Sequence, residues 1–141
     1  MNYASKQSIS FISSMVPHKQ PKILVVEDSP LQILVIQNFL KAYDCTVDIA
    51  QNGKEALELI SLPTTAAAYD LIFMDYNLPD MLGTEICKQI RRVEKTHIPI
   101  IALTAQTDLK IKKACFAVGM DEFTNKPLQL AKLDSILQRW G

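Results

Sequence analysis

The feature that most constrains this chain is a set of apolar runs too continuous for a sheet with one wet face. ILVV at 23–26, LIFM at 71–74 and IPIIAL at 98–103 show no alternation with polar residues. Such runs fit strands covered on both sides, as in a parallel sheet packed between helices. Between the runs the apolar spacing switches to that of helices. The alternation repeats five times from Lys22 onward, which predicts an α/β fold of (βα)5 type: a doubly wound parallel sheet with helices on both faces.

The elements read as follows. Lys22–Val26 is the first strand, and Ser29-Pro30 marks a cap and first helical residue. Leu31, Leu34, Val35, Asn38, Phe39 and Ala42 outline the first helix. Thr46–Ala50 is the second strand. Asn52-Gly53 turns into a helix with Ala56, Leu57 and Ile60, ended by Pro63 and a small-residue loop to Tyr69. Leu71–Met74 is the third strand. After a loop at Asn77–Met81, Thr84–Val93 is helical with Ile86, Cys87 and Ile90 on one face. Ile98–Leu103 is the fourth strand. Leu109, Lys112, Phe116 and Gly119 fall on the fourth helix, Glu122–Thr124 is a short fifth strand, and Leu130, Leu133, Leu137 and Trp140 mark the last helix.

Size and charge narrow the function classes. A length of 141 residues suits one domain, and 48% hydrophobic residues suffice for a core without staples. Fifteen basic residues balance fifteen acidic ones, which gives no overall field toward nucleic acid or membrane. No apolar run approaches the roughly 20 residues that span a bilayer. Cys45, Cys87 and Cys115 are scattered and odd in number, which fits a reducing cytoplasm better than a disulfide framework. Residues 1–21 hold five serines and no acid, and read as an N-terminal tail or linker before a folded domain at 22–141. Within that tail Ile9, Ile12 and Val16 could form a short apolar helical face, or none.

The strand ends carry the chemistry. The first strand runs into Glu27 and Asp28, the third into Asp75, the fourth into Thr104 and the fifth into Lys126. In an open parallel sheet all carboxyl ends share one edge, where ligands bind. Three carboxylates in one crevice repel, and a hard divalent cation such as magnesium relieves them. Asp75 is the nucleophile candidate, because carboxylates form aspartyl phosphates. Lys126 and Thr104 offer an ammonium and a hydroxyl to phosphoryl oxygens. Taken singly, each has a plainer reading: the acids as helix caps, Thr104 as a cap, Lys126 as a surface lysine before a proline. Their convergence on one edge is what points to phosphoryl chemistry.

These residues also carry a family resemblance. KILVVEDSP, DLIFMDYNLPDMLG, IIALTA and GMDEFTNKPL, in that order, resemble the receiver domain of bacterial two-component response regulators over Lys22–Trp140. The resemblance implies a flavodoxin-like sheet of order 2-1-3-4-5. It implies that Glu27 and Asp28 hold Mg2+, or Mn2+ in its place, with Asp28 the direct ligand and Glu27 acting through water. Asp75 then matches the phosphoacceptor and a further ligand, and Asn77 supplies a backbone carbonyl. Thr104 matches the switch hydroxyl, Phe123 the aromatic switch residue, Gly83 the glycine after the acceptor loop, and Lys126 the family's lysine, whose bond to Pro127 is expected to be cis. Two departures are mild: the acidic pair is Glu-Asp, and Phe123 lacks a hydroxyl.

The implied function is a signalling module rather than a metabolic enzyme, with at most weak autocatalysed phosphotransfer and autodephosphorylation. A histidine kinase or histidine phosphotransfer protein is the implied donor, and the fourth helix, fifth strand and fifth helix the implied output surface. Lys110, Lys112 and Lys113 on the fourth helix could meet an acidic partner or a second copy in a phosphorylation-dependent homodimer, or simply form a solvated face. Direct nucleic-acid binding and membrane insertion are not expected. Location is cytoplasmic, at the inner face of the inner membrane if the chain belongs to a hybrid kinase; the sequence leaves stand-alone and hybrid contexts open.

Two rivals belong to other classes. A haloacid-dehalogenase-type aspartyl phosphatase wants a second aspartate two residues after the nucleophile, and Asn77 stands there. A P-loop nucleotide module needs a glycine where Asp48 precedes Gly53-Lys54. A degenerate receiver used only for docking is a third reading, opposed by the intact acidic, Thr104 and Lys126 set.

Overall fold

The computed structural model describes residues 20–62, 69–106 and 108–140. Ile9, Ile12, Val16 and the small-residue loop after Pro63 lie outside them. The elements are β1 (Lys22–Val26), α1 (Pro30–Ala42), β2 (Thr46–Ala50), α2 (Gly53–Ser61), β3 (Leu71–Asp75), α3 (Gly83–Val93), β4 (Ile100–Thr104), α4 (Leu109–Ala117), β5 (Glu122–Asn125) and α5 (Leu130–Trp140). The strands form one sheet in the order β2-β1-β3-β4-β5, every pair parallel.

Strand alternation divides the core in two. Ile23, Val25, Leu71, Phe73, Ile101 and Leu103 face Ile36 and Leu40 of α1 and Leu133 and Ile136 of α5. Leu24, Val26, Ile72, Met74, Ile100 and Ala102 face Ala56 of α2, Ile86 and Ile90 of α3, and Cys115 of α4. Burying such a side chain contributes about 1.5–3 kcal/mol, which fixes the strand register. A slip of one residue would swap the two cores.

The caps follow the sequence. Ser29 Oγ accepts from the Gln32 amide at 3.4 Å, with Pro30 at the first position of α1. Asn52 Oδ1 accepts from the Glu55 amide at 2.8 Å, and Glu55 reaches back to the Gln51 amide at 3.0 Å, close to a capping box.

Two expected element bounds need correction, the start of the fourth strand and the end of the fourth helix, and the structure selects which faces of α1 and α4 are buried. The fourth strand begins at Ile100, not Ile98. Pro99 has no amide to donate. The Ile98 carbonyl and amide are taken by Arg91 and Glu94 instead. In α1, Leu31 and Leu34 are exposed, and Ile36 and Leu40 fill the core. This helix is apolar nearly all round, so spacing alone could not choose its buried stripe. In α4, Leu109 and Phe116 are exposed and Cys115 is buried. That helix stops at Ala117, because Gly119 adopts φ +101°, outside the helical region. Smaller shifts put Asp75, Thr104 and Asn125 inside their strands and Gly83 inside α3.

Gly83 has no room for a side chain. A Cβ there would lie 2.3 Å from the Asp75 carbonyl oxygen, which is backbone and cannot step aside. Gly83→Ala is expected to destabilise the protein by about 1–3 kcal/mol, read as a lower urea midpoint. At Gly53 the clashing atoms belong to the flexible Met81 side chain, so Gly53→Ala should have the smaller effect. Equal midpoints for Gly83→Ala and wild type would contradict the packing described.

Candidate functional site

The site forms where β1, β3, β4 and β5 end. The Glu27 amide donates to the Ala50 carbonyl at 2.9 Å, which continues the β1–β2 pairing one residue past the strand. Glu27 is therefore held in the sheet and is fully buried. Asp28, next in the chain, is exposed. Val26 is in register with Met74, so Asp75 closes the adjacent strand beside Glu27. Asp75 is buried, and its Oδ1 accepts from the Asn77 amide at 3.3 Å.

Lys126 enters from β5. Its amide donates to the Thr104 carbonyl at 2.9 Å, and its bond to Pro127 is cis. The ammonium lies 2.5 Å from Glu27 Oε1 and 3.1 Å from Asp75 Oδ2. Apart from this ion contact, Glu27 Oε1 has no hydrogen-bond donor among the described residues. Its other oxygen accepts from the Ser29 amide at 3.1 Å. The water-mediated role expected for Glu27 thus meets a residue buried against an ammonium.

Thr104 is buried at the end of β4, and its hydroxyl oxygen accepts from the Gln106 amide at 3.0 Å. The hydroxyl proton remains available to an acceptor in the crevice. Phe123 stands in register with Ala102 on β5 and packs at the margin of the core. The Lys112 ammonium of α4 lies 5.9 Å from its ring centroid, at the outer limit of a cation–π contact. Asn77 pairs with Leu82 across the acceptor loop in an antiparallel bridge.

The electrostatics follow from burial. Desolvation, and then the Glu27 charge, push the Asp75 carboxyl up to about 6, against the pull of Lys126 and the Asn77 amide. Burial acts to lower the Lys126 ammonium, but contact with Glu27 and Asp75 outweighs it and holds the group above its ordinary value. The Asp75 shift thus expresses burial first and the neighbouring Glu27 charge second, and the Lys126 shift expresses contact with both carboxylates. Glu27, Asp28 and Asp75 each offer an oxygen within 4.8 Å of the others. An all-oxygen, all-carboxylate set suits a hard divalent cation.

The structure thus brings Glu27, Asp28, Asp75 and Lys126 together, ties Thr104 to Lys126 through the backbone, and puts Asn77 against Asp75. Phe123 is further out, at the α4 side. Sequence reasoning missed Asp80. Its carboxylate accepts from the amides of Gly53 and Lys54, at 2.8 and 3.0 Å, so its partners lie 27 and 26 residues away. No local pattern signals such a contact.

Comparison with known proteins agrees with this geometry. Residues 23–138 match the family described as the response regulator receiver domain. Hybrid signal transduction histidine kinase L of Dictyostelium discoideum is 35% identical over 85% of this chain. The match spans only 7% of that protein's length. The receiver domain of the Pseudomonas aeruginosa sensor histidine kinase PA1611, solved with magnesium in its active-site cleft, is similar with a TM-score of 0.75. It is 34% identical, over 86% of this chain and 98% of that one. A co-crystal structure of the Saccharomyces cerevisiae phosphotransfer protein Ypd1 with the receiver domain of Ssk1 gives a TM-score of 0.75. That match is 29% identical, over 86% of this chain and 89% of that one. Relatives therefore extend beyond bacteria.

The raised Asp75 carboxyl has a stability consequence. In the unfolded chain an aspartate titrates near pH 4, below the folded value of about 6. Between these values the folded protein binds more protons, so its stability falls as pH rises through the window. The metal-free wild type should lose stability relative to Asp75→Asn between about pH 4 and 6, read from paired urea titrations. A constant difference across that range would contradict the assigned shift.

Proposed function

The chain belongs to the response regulator receiver family, and from that premise we propose that Asp75 accepts a phosphoryl group from a phosphohistidine. The observation that carries the reading is Lys126 reaching both Glu27 and Asp75 where three carboxylates converge. An Asp75 oxygen attacks the phosphorus, the P–N bond breaks, and the donor imidazole leaves. Phosphoryl transfer passes through a loose transition state, so positioning and charge neutralisation supply most of the catalysis.

Glu27, Asp28, Asp75 and the Asn77 carbonyl would hold magnesium, with manganese an acceptable substitute for the same hard ligands. The metal would neutralise charge on the phosphoryl oxygens. Lys126 would then share its ammonium with a phosphoryl oxygen, and the Thr104 hydroxyl would donate to another. Drawing Thr104 toward the phosphate lets Phe123 pack deeper, which shifts the population of α4, β5 and α5 surfaces.

The relatives suggest the partners: a histidine kinase, or a phosphotransfer protein of the kind seen with the Ssk1 receiver. The donor must cover the crevice to reach Asp75. Leu31 and Leu34, exposed on α1 just after Asp28, give it apolar surface there. On the output side, Lys110, Lys112 and Lys113 of α4 are exposed, with Lys112 beside Phe123, and fit an acidic partner or a second, phosphorylated copy. Whether residues 22–141 act alone or within a hybrid kinase, the proposed place of action is the cytoplasm, at the inner face of the inner membrane in the hybrid case. The free thiols accord with that, and no helix among the described residues is long and apolar enough to cross a membrane.

Acetyl phosphate and magnesium provide the test. Intact mass should show one added phosphoryl group on wild type. Asp28→Asn should lose both magnesium binding and labelling, while Glu27→Gln, whose residue is engaged by Lys126, loses less. Identical magnesium titrations for wild type and Asp28→Asn would contradict the ligand set. Sedimentation of the labelled protein at low and high salt tests the dimer, and a monomer in both removes it.

A further inference from the structure

The acceptor loop leaves the sheet after Asp75 and enters α3 at Gly83. Its base is closed twice: the Gly83 amide donates to the Tyr76 carbonyl at 2.7 Å, and Asn77 pairs with Leu82. These contacts close the base of the loop, where the Asn77 amide also donates to Asp75 Oδ1 at 3.3 Å. The tip is held elsewhere. Asp80 Oδ1 accepts from the Gly53 amide at 2.8 Å, and Oδ2 from the Lys54 amide at 3.0 Å.

Those amides open α2, which follows β2. In the sheet β1 lies between β2 and β3, and the end of β1 carries Glu27 and Asp28. A residue of the β3 loop bound to the start of α2 therefore spans the strand that bears the two other carboxylates. The approach is close: a Cβ on Gly53 would lie 2.6 Å from Met81 Cγ in the same loop.

A simple cap does not require this arrangement. Asn52 already caps α2 from its own chain through the Glu55 amide. Asp80 takes the two amides before it, which a helix leaves without internal partners. A carboxylate at a helix N-terminus makes charge-assisted bonds to amides aligned with the helix dipole. The Gly53 amide is the main reason the Asp80 carboxyl is held below its ordinary range.

We propose that Asp80 is a positioning residue: by tethering the acceptor loop to α2 it sets the Asn77 main chain against the Asp75 crevice and so tunes cation affinity. The proposal rests on the Asp75 reading above. Asp80 itself touches neither cation nor phosphate, and acts through the loop.

The test is the magnesium dependence of acetyl phosphate labelling. Asp80→Ala should raise the magnesium concentration for half-maximal labelling several-fold, with the rate at saturating magnesium within about twofold of wild type. Asp80→Asn, which keeps one acceptor and the side-chain size, should fall between. A role confined to capping α2 would speed amide exchange at Gly53 and Lys54 yet leave the half-saturation point unmoved. That result overturns the proposal, as does wild-type half-saturation in Asp80→Asn should Asp80→Ala fail to fold. Absence of labelling in wild type at any magnesium concentration overturns the Asp75 reading and this proposal with it. Equal half-saturation in wild type and Asp80→Ala overturns this proposal alone.

Discussion

One ammonium holds the carboxyl edge of this sheet together. Glu27 is fully buried and Asp75 nearly so, on adjacent strands, and Lys126 reaches both. Leaving a buried charge without its partner costs about 3–5 kcal/mol, so the contact matters to the fold as well as to chemistry. It also joins distant parts of the chain, because Lys126 hangs from Thr104 through a backbone hydrogen bond while Glu27 hangs from β2 through Ala50. The order β2-β1-β3-β4-β5 makes this geometry available. A parallel sheet delivers the ends of β1 and β3 side by side, and β5 follows just beyond β4.

The ammonium contacts two carboxylates, but three are present, and burial, then the Glu27 charge, still hold the Asp75 carboxyl above its ordinary value. A crevice poised this way favours added positive charge and then, once a cation is in place, a dianionic phosphoryl group. The alternatives fare worse against the same residues. An aspartyl phosphatase of the dehalogenase type needs an acid at position 77, and Asn77, with no carboxyl, stands there. The Gly53-Lys54 amides, which a P-loop would turn toward a nucleotide phosphate, are bound to Asp80.

Much of this was legible in the sequence, and the failures have physical causes. Continuous apolar runs revealed the strands because burial on both faces removes alternation, and abrupt polar ends revealed Glu27, Asp75, Thr104 and Lys126. Cap residues Ser29 and Asn52 were readable because capping is local. The buried stripe of α1 was not, since leucine, isoleucine and valine ring that helix and only packing against β1 and β3 selects Ile36 and Leu40. The late start of β4 depended on Arg91, whose guanidinium takes the Ile98 and Gly119 carbonyls and pairs with Glu94 and Asp121. The burial of Glu27 and the reach of Asp80 to α2 arise from contacts between segments, which no local pattern encodes.

The most direct test of the crevice as a phosphoacceptor is chemical trapping of its product. Wild-type protein is treated with acetyl phosphate and magnesium, then reduced with borohydride, which converts an aspartyl phosphate to homoserine, and mapped by peptide mass spectrometry. Homoserine at position 75 and at no other carboxylate is the predicted result. An intact Asp75 with homoserine at another position, Asp28 included, or no conversion anywhere under conditions that phosphorylate a known receiver, would contradict it.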